Sequence, residues 1–253
     1  MPFKRFLSTA FLAAAAATSG GCFVEEAATA ARDHYEETLE FRPGGTFRLE
    51  NTNGKVVVEG WDRDTVSIEA EKGAPSRRML DDIEIDIEQT GDLIEVKTRL
   101  SRRRSLFGAR GKVDYMIRVP ENAQVEVETV NGTVQVDRVR GRVNASTING
   151  SVEIADVSGE VEARTINGSI RASYLEAGGG SHRFSTTNGG VRVQLPPDVS
   201  GDFEARTVNG SIQTDFPLEV SGRPGRRLHG QLGDGKGRFR ISTVNGSVKI
   251  QKL

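Results

Sequence analysis

Chemistry in this chain would have to come from its three histidines, its one cysteine and carboxylates set at alternate positions. His34, His182 and His229 share no metal-ligand spacing of the kind that marks structural zinc motifs. The run Gly-Asp-Gly-Lys-Gly-Arg at 233–238 lacks the repeated acidic ligands of a calcium turn. Neither a G-x-S-x-G nucleophile elbow nor a phosphate-binding glycine loop occurs. Glu126, Glu128, Glu160 and Glu162 sit at alternate positions interleaved with arginine, as on a solvated strand face where charges pair across strands. A polysaccharide-cleaving solenoid would instead gather acids and a basic residue across one groove. The expectation is no catalytic residue, no metal and no cofactor.

Cys22 carries a different chemistry. As the only cysteine it can close no internal disulfide. Lys4 and Arg5 precede an apolar run at 6–17, the layout of an export signal, and that run is shorter than the roughly 20 residues needed to span a bilayer. Thr-Ser-Gly-Gly-Cys at 18–22 resembles a bacterial lipoprotein signal, in which the cysteine is lipidated and becomes the first mature residue. Ser19 stands where such signals carry an aliphatic residue, and Ala28-Thr29-Ala30 offers an ordinary cleavage site. Each acyl methylene buried in lipid adds about 0.8 kcal/mol, so several chains anchor stably. Residues 1–21 thus read as a signal peptide, Cys22 as the lipidation site, and 22–38 as a polar tether or short helix.

Asn-Gly supplies the most regular spacing. It occurs at Asn53, Asn131, Asn149, Asn167, Asn188, Asn209 and Asn245, with intervals of 78, 18, 18, 21, 21 and 36 residues. The last interval is twice 18 and suggests a further copy that lacks the motif. A glycine stands eight residues before six of these asparagines, and Ala123 before the seventh. Between them the residues six, four and two before Asn are apolar, apolar and Thr in most copies, as in Val143, Ala145 and Thr147. Such alternation marks a half-buried strand. After Asn-Gly the parity flips, with apolar residues at the third and fifth positions, such as Val152 and Ile154. The motif is therefore a corner joining two strands that face one interior, and Asn and Gly suit a corner with positive φ.

Hairpins around each Asn-Gly would explain paired arms, but not the near-identical restart. Stacking explains both, since equivalent residues then lie about 4.8 Å apart and form columns, each unit completing its neighbour's core. The expected fold is all-β, with a less regular β region at 39–120 continuous with a β-solenoid at 121–253. An antiparallel sandwich or barrel is the rival arrangement. In the solenoid, stacked Asn amides satisfy one another, which matters because an unpaired buried amide costs about 1–3 kcal/mol. Residues 248–253 would be an exposed edge strand guarded by Lys249 and Lys252.

The Thr-Val-Asn-Gly-Ser-Ile and Thr-Ile-Asn-Gly-Ser-Val copies resemble a bacterial envelope family, together with Val-Glu-Gly-Trp-Asp-Arg-Asp at 58–64 and the run from Asp215 to Gly233. Its members are called putative adhesins, β-strand-repeat proteins of unknown function. The resemblance covers about residues 39–253 and implies an exported or lipid-anchored repeat protein with no catalytic residues to carry over.

Two features could bind partners. The residue before each Asn is Val130, Ile148, Ile166, Val208 or Val244 in five copies, an aliphatic stripe that parity turns away from the core. The segment 101–112 sets five basic residues beside Leu106 and Phe107, and could touch anionic head groups or polysaccharide. A net charge of −1, or −3 once residues 1–21 are lost with Lys4 and Arg5, argues against nucleic acid. The reading is a noncatalytic, lipid-anchored envelope protein that presents a rigid surface to an envelope protein or polysaccharide. A self-assembling scaffold is the first alternative and a polysaccharide-acting enzyme the second. Oligomeric state is open.

Overall fold

The computed structural model describes residues 31–100, 111–221 and 225–253. The signal segment, Cys22 and most of the basic segment at 101–112 lie outside the described residues. Before the regular repeats come β1 (Ala31–Glu40), β2 (Thr46–Glu50), β3 (Val56–Trp61), β4 (Thr65–Ala74), β5 (Ile83–Thr90), β6 (Leu93–Leu100) and β7 (Lys112–Pro120). A short helix α1 (Arg77–Asp81) interrupts them, its first turn capped by the Ser76 hydroxyl. The repeats supply β8 (Gln124–Asn131), β9 (Val134–Asp137), β10 (Val143–Asn149), β11 (Val152–Val157), β12 (Val161–Asn167), β13 (Ile170–Tyr174), β14 (Gly180–Asn188) and β15 (Val191–Leu195). Then follow β16 (Gly201–Asn209), β17 (Ile212–Thr214), β18 (Glu219–Ser221), β19 (Arg227–Leu232), β20 (Gly237–Asn245) and β21 (Val248–Lys252).

These strands form two sheets around one core, a two-sheet β-solenoid whose repeats pair in parallel and in register. Sheet I holds the strands that end at Asn, in the order β18-β19-β16-β20-β14-β12-β10-β8-β2-β6-β5. Sheet II holds the strands that leave the corner, in the order β1-β4-β7-β3-β9-β11-β13-β15-β21-β17. Val125, Val143 and Val161 stack in sheet I, and Val134, Val152 and Ile170 in sheet II, all at most 1% exposed. Each contributes roughly 1.5–3 kcal/mol of burial, which no single repeat could gain alone. The irregular region joins the same sheets, because β2 pairs with β8 and β3 with β9 in the repeat register.

Three expectations change. Residues 31–38 are neither tether nor helix: β1 pairs antiparallel with β4 from Ala31↔Ala74 to Glu40↔Thr65. Ala31, Tyr35 and Leu39 pack on the core from a half-buried face they share with Asp33 and Glu37, while Arg32, His34, Glu36 and Thr38 face out. The 36-residue interval hides no further copy, since β18 and β19 form an antiparallel hairpin on the outer edge of β16. The last repeat is not an edge either. β20 lies between β14 and β16, and β21 between β15 and β17. The chain therefore skips a layer after β15 and fills it last.

The reason for the corner glycines also changes. Among the seven Asn-Gly glycines only Gly54 and Gly189 have positive φ. What they share is contact: a Cβ on Gly132, Gly150, Gly168 or Gly246 would lie 1.9–2.0 Å from the corner carbonyl of an adjacent layer. Corner carbonyls at 132, 150, 168, 189 and 246 also accept hydroxyl hydrogen bonds from Thr147, Thr165, Thr186, Thr243 and Thr207 at 2.8–3.0 Å.

The filled layer closes an aromatic stack. Phe239 on β20 lies face to face with His182 at 4.4 Å and with Phe203 at 4.5 Å between ring centroids, and Tyr174 meets His182 edge-on. His182 is 0% exposed. Its Nε2 faces the Gly178 carbonyl, which can only accept, so Nδ1 accepts from the Tyr174 hydroxyl 2.9 Å away. Burial lowers the pKa of this imidazole, against smaller opposing pulls from the Gly178 carbonyl and then Glu160. The unfolded chain titrates near 6.5. Stability is therefore full above that value and falls as the pH drops toward the lower folded value, by up to about 1.4 kcal/mol per pH unit. Urea unfolding at about pH 7.5 and about pH 5 should show this loss, and His182→Phe should flatten it.

Candidate functional site

The outward face of sheet I is organised by the corners. The Nδ2 of Asn131 donates to Oδ1 of Asn53, and the pattern repeats through Asn149, Asn167, Asn188, Asn245 and Asn209, each bond 2.8 Å long. The column follows the spatial order of layers, with Asn245 between Asn188 and Asn209, and its base is tied by Asn53 Nδ2 to the Gly111 carbonyl at 3.0 Å. Apart from half-buried Asn53, these amides are exposed. The buried column argued from sequence is thus a surface one, and each bond contributes about 0.5–1.5 kcal/mol net rather than relieving a buried amide.

Beside the ladder runs the aliphatic row. Ile148, Ile166, Val244 and Val208 are 42, 46, 40 and 54% exposed, Val130 is half-buried, and Thr187 interrupts the row between Ile166 and Val244. Val130, Ile148 and Ile166 border an open groove with Glu128, Ser146 and Arg164. β-branched side chains suit this position because they pack on the pleat of the neighbouring strand. The arrangement offers apolar contact flanked by hydrogen-bonding amides.

Three of the carboxylates singled out from the sequence are tied up in ion pairs on this face. Glu126 is held by Arg48 Nε at 2.7 Å, Glu160 by Arg142 at 2.6 Å, and Glu162 by Arg164. Glu95, hydrogen-bonded first by Lys97 and then by Arg48, is held below its ordinary carboxyl pKa. His34 and His229 are exposed and far apart in the sheets, while His182 is spent in the core. Among the described residues, no group of three or more His, Cys, Asp or Glu side chains could hold a metal ion, and no helix is long and apolar enough to cross a membrane.

The sequence reading passed over the outward column of sheet II, four residues after each Asn. In spatial order it reads Val57, Gln135, Glu153, Arg171, Arg192, Lys249 and Gln213. Counting four from each Asn finds these residues, but only the inserted layer sets Lys249 against Arg192.

The family described as Toastrack DUF4097 matches residues 50–251. No curated protein matches the chain. Among solved structures, a Clostridium sporogenes protein named a "putative cell adhesion protein" is similar with a TM-score of 0.53 at 12% identity, over 88% of this chain and 100% of that one. A Bacteroides fragilis protein named a "putative adhesin" has a TM-score of 0.41 at 7% identity, over 87% of this chain and 97% of that one. At 12% identity the first likeness bears on the fold alone.

Proposed function

The chain belongs to the Toastrack DUF4097 family, and from that premise we propose that it is a noncatalytic, lipid-anchored envelope protein whose repeat body presents an extended surface for adhesion. The observation that carries this reading is the row Ile148, Ile166, Val244 and Val208, exposed, begun by half-buried Val130 and interrupted by Thr187, held in register along one face of a rigid stack. Apolar rows of this kind on a protein surface mark interaction sites. The export signal and Cys22 supply the anchor, and β1 begins only a few residues beyond it.

Proximity crosslinking in intact cells tests this. The wild-type chain should capture a defined partner, and Ile166→Lys with Val208→Lys should lose it while the fold persists, since both side chains point outward. A Cys22→Ala control should move the protein from membranes to the soluble fraction. Unchanged capture by the double variant would sink the role of the row. Concentration-dependent oligomers of the purified protein, abolished by the same pair, would favour a self-assembling scaffold instead.

A further inference from the structure

The outward column of sheet II sets three cations side by side. Arg171 lies directly across from Arg192, and Arg192 across from Lys249, one strand spacing apart, roughly 4.8 Å. Like charges placed so weaken a sheet. Arg171 is relieved by Glu153, 2.7 Å away, but among the described residues neither Arg192 nor Lys249 forms an ion pair. One opposed pair in sheet I is relieved differently: Arg183 and Arg240 reach Glu162 and Glu204 at 3.9 Å. A local rule broken without internal compensation is where function is expected.

A second observation comes from the column two residues earlier. It carries hydroxyls at Ser151, Ser169, Ser247 and Ser211, with one gap, at Gly190. Gly190 leaves a notch beside Arg192, walled by Ser169 and Ser247, and these three residues line one shallow depression with Arg171, Arg192 and Lys249. None of the residues lining it is a carboxylate, and Glu153 stands beside it on Arg171. Cations recurring at the strand spacing, flanked by hydroxyls on an open face, fit a ligand whose negative charges recur at the length of one sugar ring. A lone small anion there would stay exposed to water and be held weakly, whereas linked anions engage the cations together.

We infer that this depression binds an anionic polysaccharide carrying one carboxylate or sulfate per sugar residue, laid along the stack axis across β13, β15 and β21. The site lies on the sheet opposite the aliphatic row and does not rest on the adhesion reading. The chain as a whole is net negative, so binding has to come from the local patch and not from overall charge.

The test uses the full chain with polygalacturonate, dextran sulfate, uncharged dextran and inorganic sulfate. Both charged polymers should bind, more weakly as salt rises, dextran should not, and inorganic sulfate should bind far more weakly than either polymer. Arg192→Glu with Lys249→Glu should weaken polymer binding about tenfold or more. The neutral pair Arg192→Gln with Lys249→Gln removes the opposed charges and should leave Tm unchanged or raise it by about 1–3 °C, whereas the glutamate pair exchanges one like-charge contact for another. The same charge change at exposed Arg227 and Arg238 should alter binding less than about twofold. Equal losses in the two pairs would overturn the site. So would retained binding in Arg192→Glu/Lys249→Glu with loss on replacing Arg102, Arg103 and Arg104 by Ser. Inorganic sulfate binding as tightly as the polymers would overturn the polysaccharide assignment.

Discussion

Gly150→Ala should destabilise the protein by about 3 kcal/mol or more, lowering Tm by roughly 6–12 °C for a body of this size. The added methyl would stand 2.0 Å from the Gly132 carbonyl oxygen. That oxygen cannot move aside, because it accepts the Thr147 hydroxyl at 3.0 Å. The Gly150 N–H is itself committed to the Asn167 carbonyl one layer away. The clash is therefore between backbones, and relief requires two layers to part, opening the Val134–Val152 and Val125–Val143 contacts with them. Gly178→Ala is the matched control: its Cβ would meet only the Ser158 carbonyl at 3.5 Å, an ordinary contact. Thermal melts of the two variants separate close approach from backbone freedom. A small loss at Gly150 would mean that the layers are looser than their register implies.

How much of this was legible in the sequence depends on which interaction sets each feature. Alternation around Asn-Gly assigns every residue to a column, because parity alone decides which face it joins, and the buried columns through Val125, Val143 and Val161 follow from it. Parity says nothing about the order of layers. Phe239 could stack as well on one equivalent position as on another, so the chain could deposit its last repeat at the end or in the middle with the same local pattern. The insertion of β20 is a tertiary choice, and the edge role expected for residues 248–253 fell with it. The exposure of the Asn ladder was likewise beyond reach, because hydrogen bonding between stacked amides looks the same in sequence whether or not water touches it. β1 was missed for another reason. Ala-Arg-Asp-His-Tyr-Glu-Glu has weak strand propensity, and its strand state is imposed by the open edge of β4. The stripe Val130, Ile148, Ile166, Val208 and Val244 was legible because it needs parity only. The pairing of Arg192 with Lys249 was not, because it needs layer order.

Deleting residues 237–253 provides the sharpest test of that order. In a stack laid down in sequence, losing the last repeat would strip one terminal layer and leave every other interface intact. Here the deletion removes the layer between β14 and β16, and with it Phe239, Ile241, Val248 and Ile250, all 2% exposed or less. At roughly 1.5–3 kcal/mol for each buried side chain, the loss is about 6–12 kcal/mol, which is comparable with the whole stability of a typical domain. It also leaves two facing edges unpaired, since Asn188 and Asn209 both lose Asn245 and the His182 and Phe203 rings lose the Phe239 ring between them. Hydrogen exchange on the truncated chain should therefore show protection lost in β16, β17 and the β18–β19 hairpin. The layers from β8 to β13 keep their own neighbours and should exchange slowly. Full protection of β16 in the truncated chain would show the last repeat to be a dispensable edge and would overturn the inserted order.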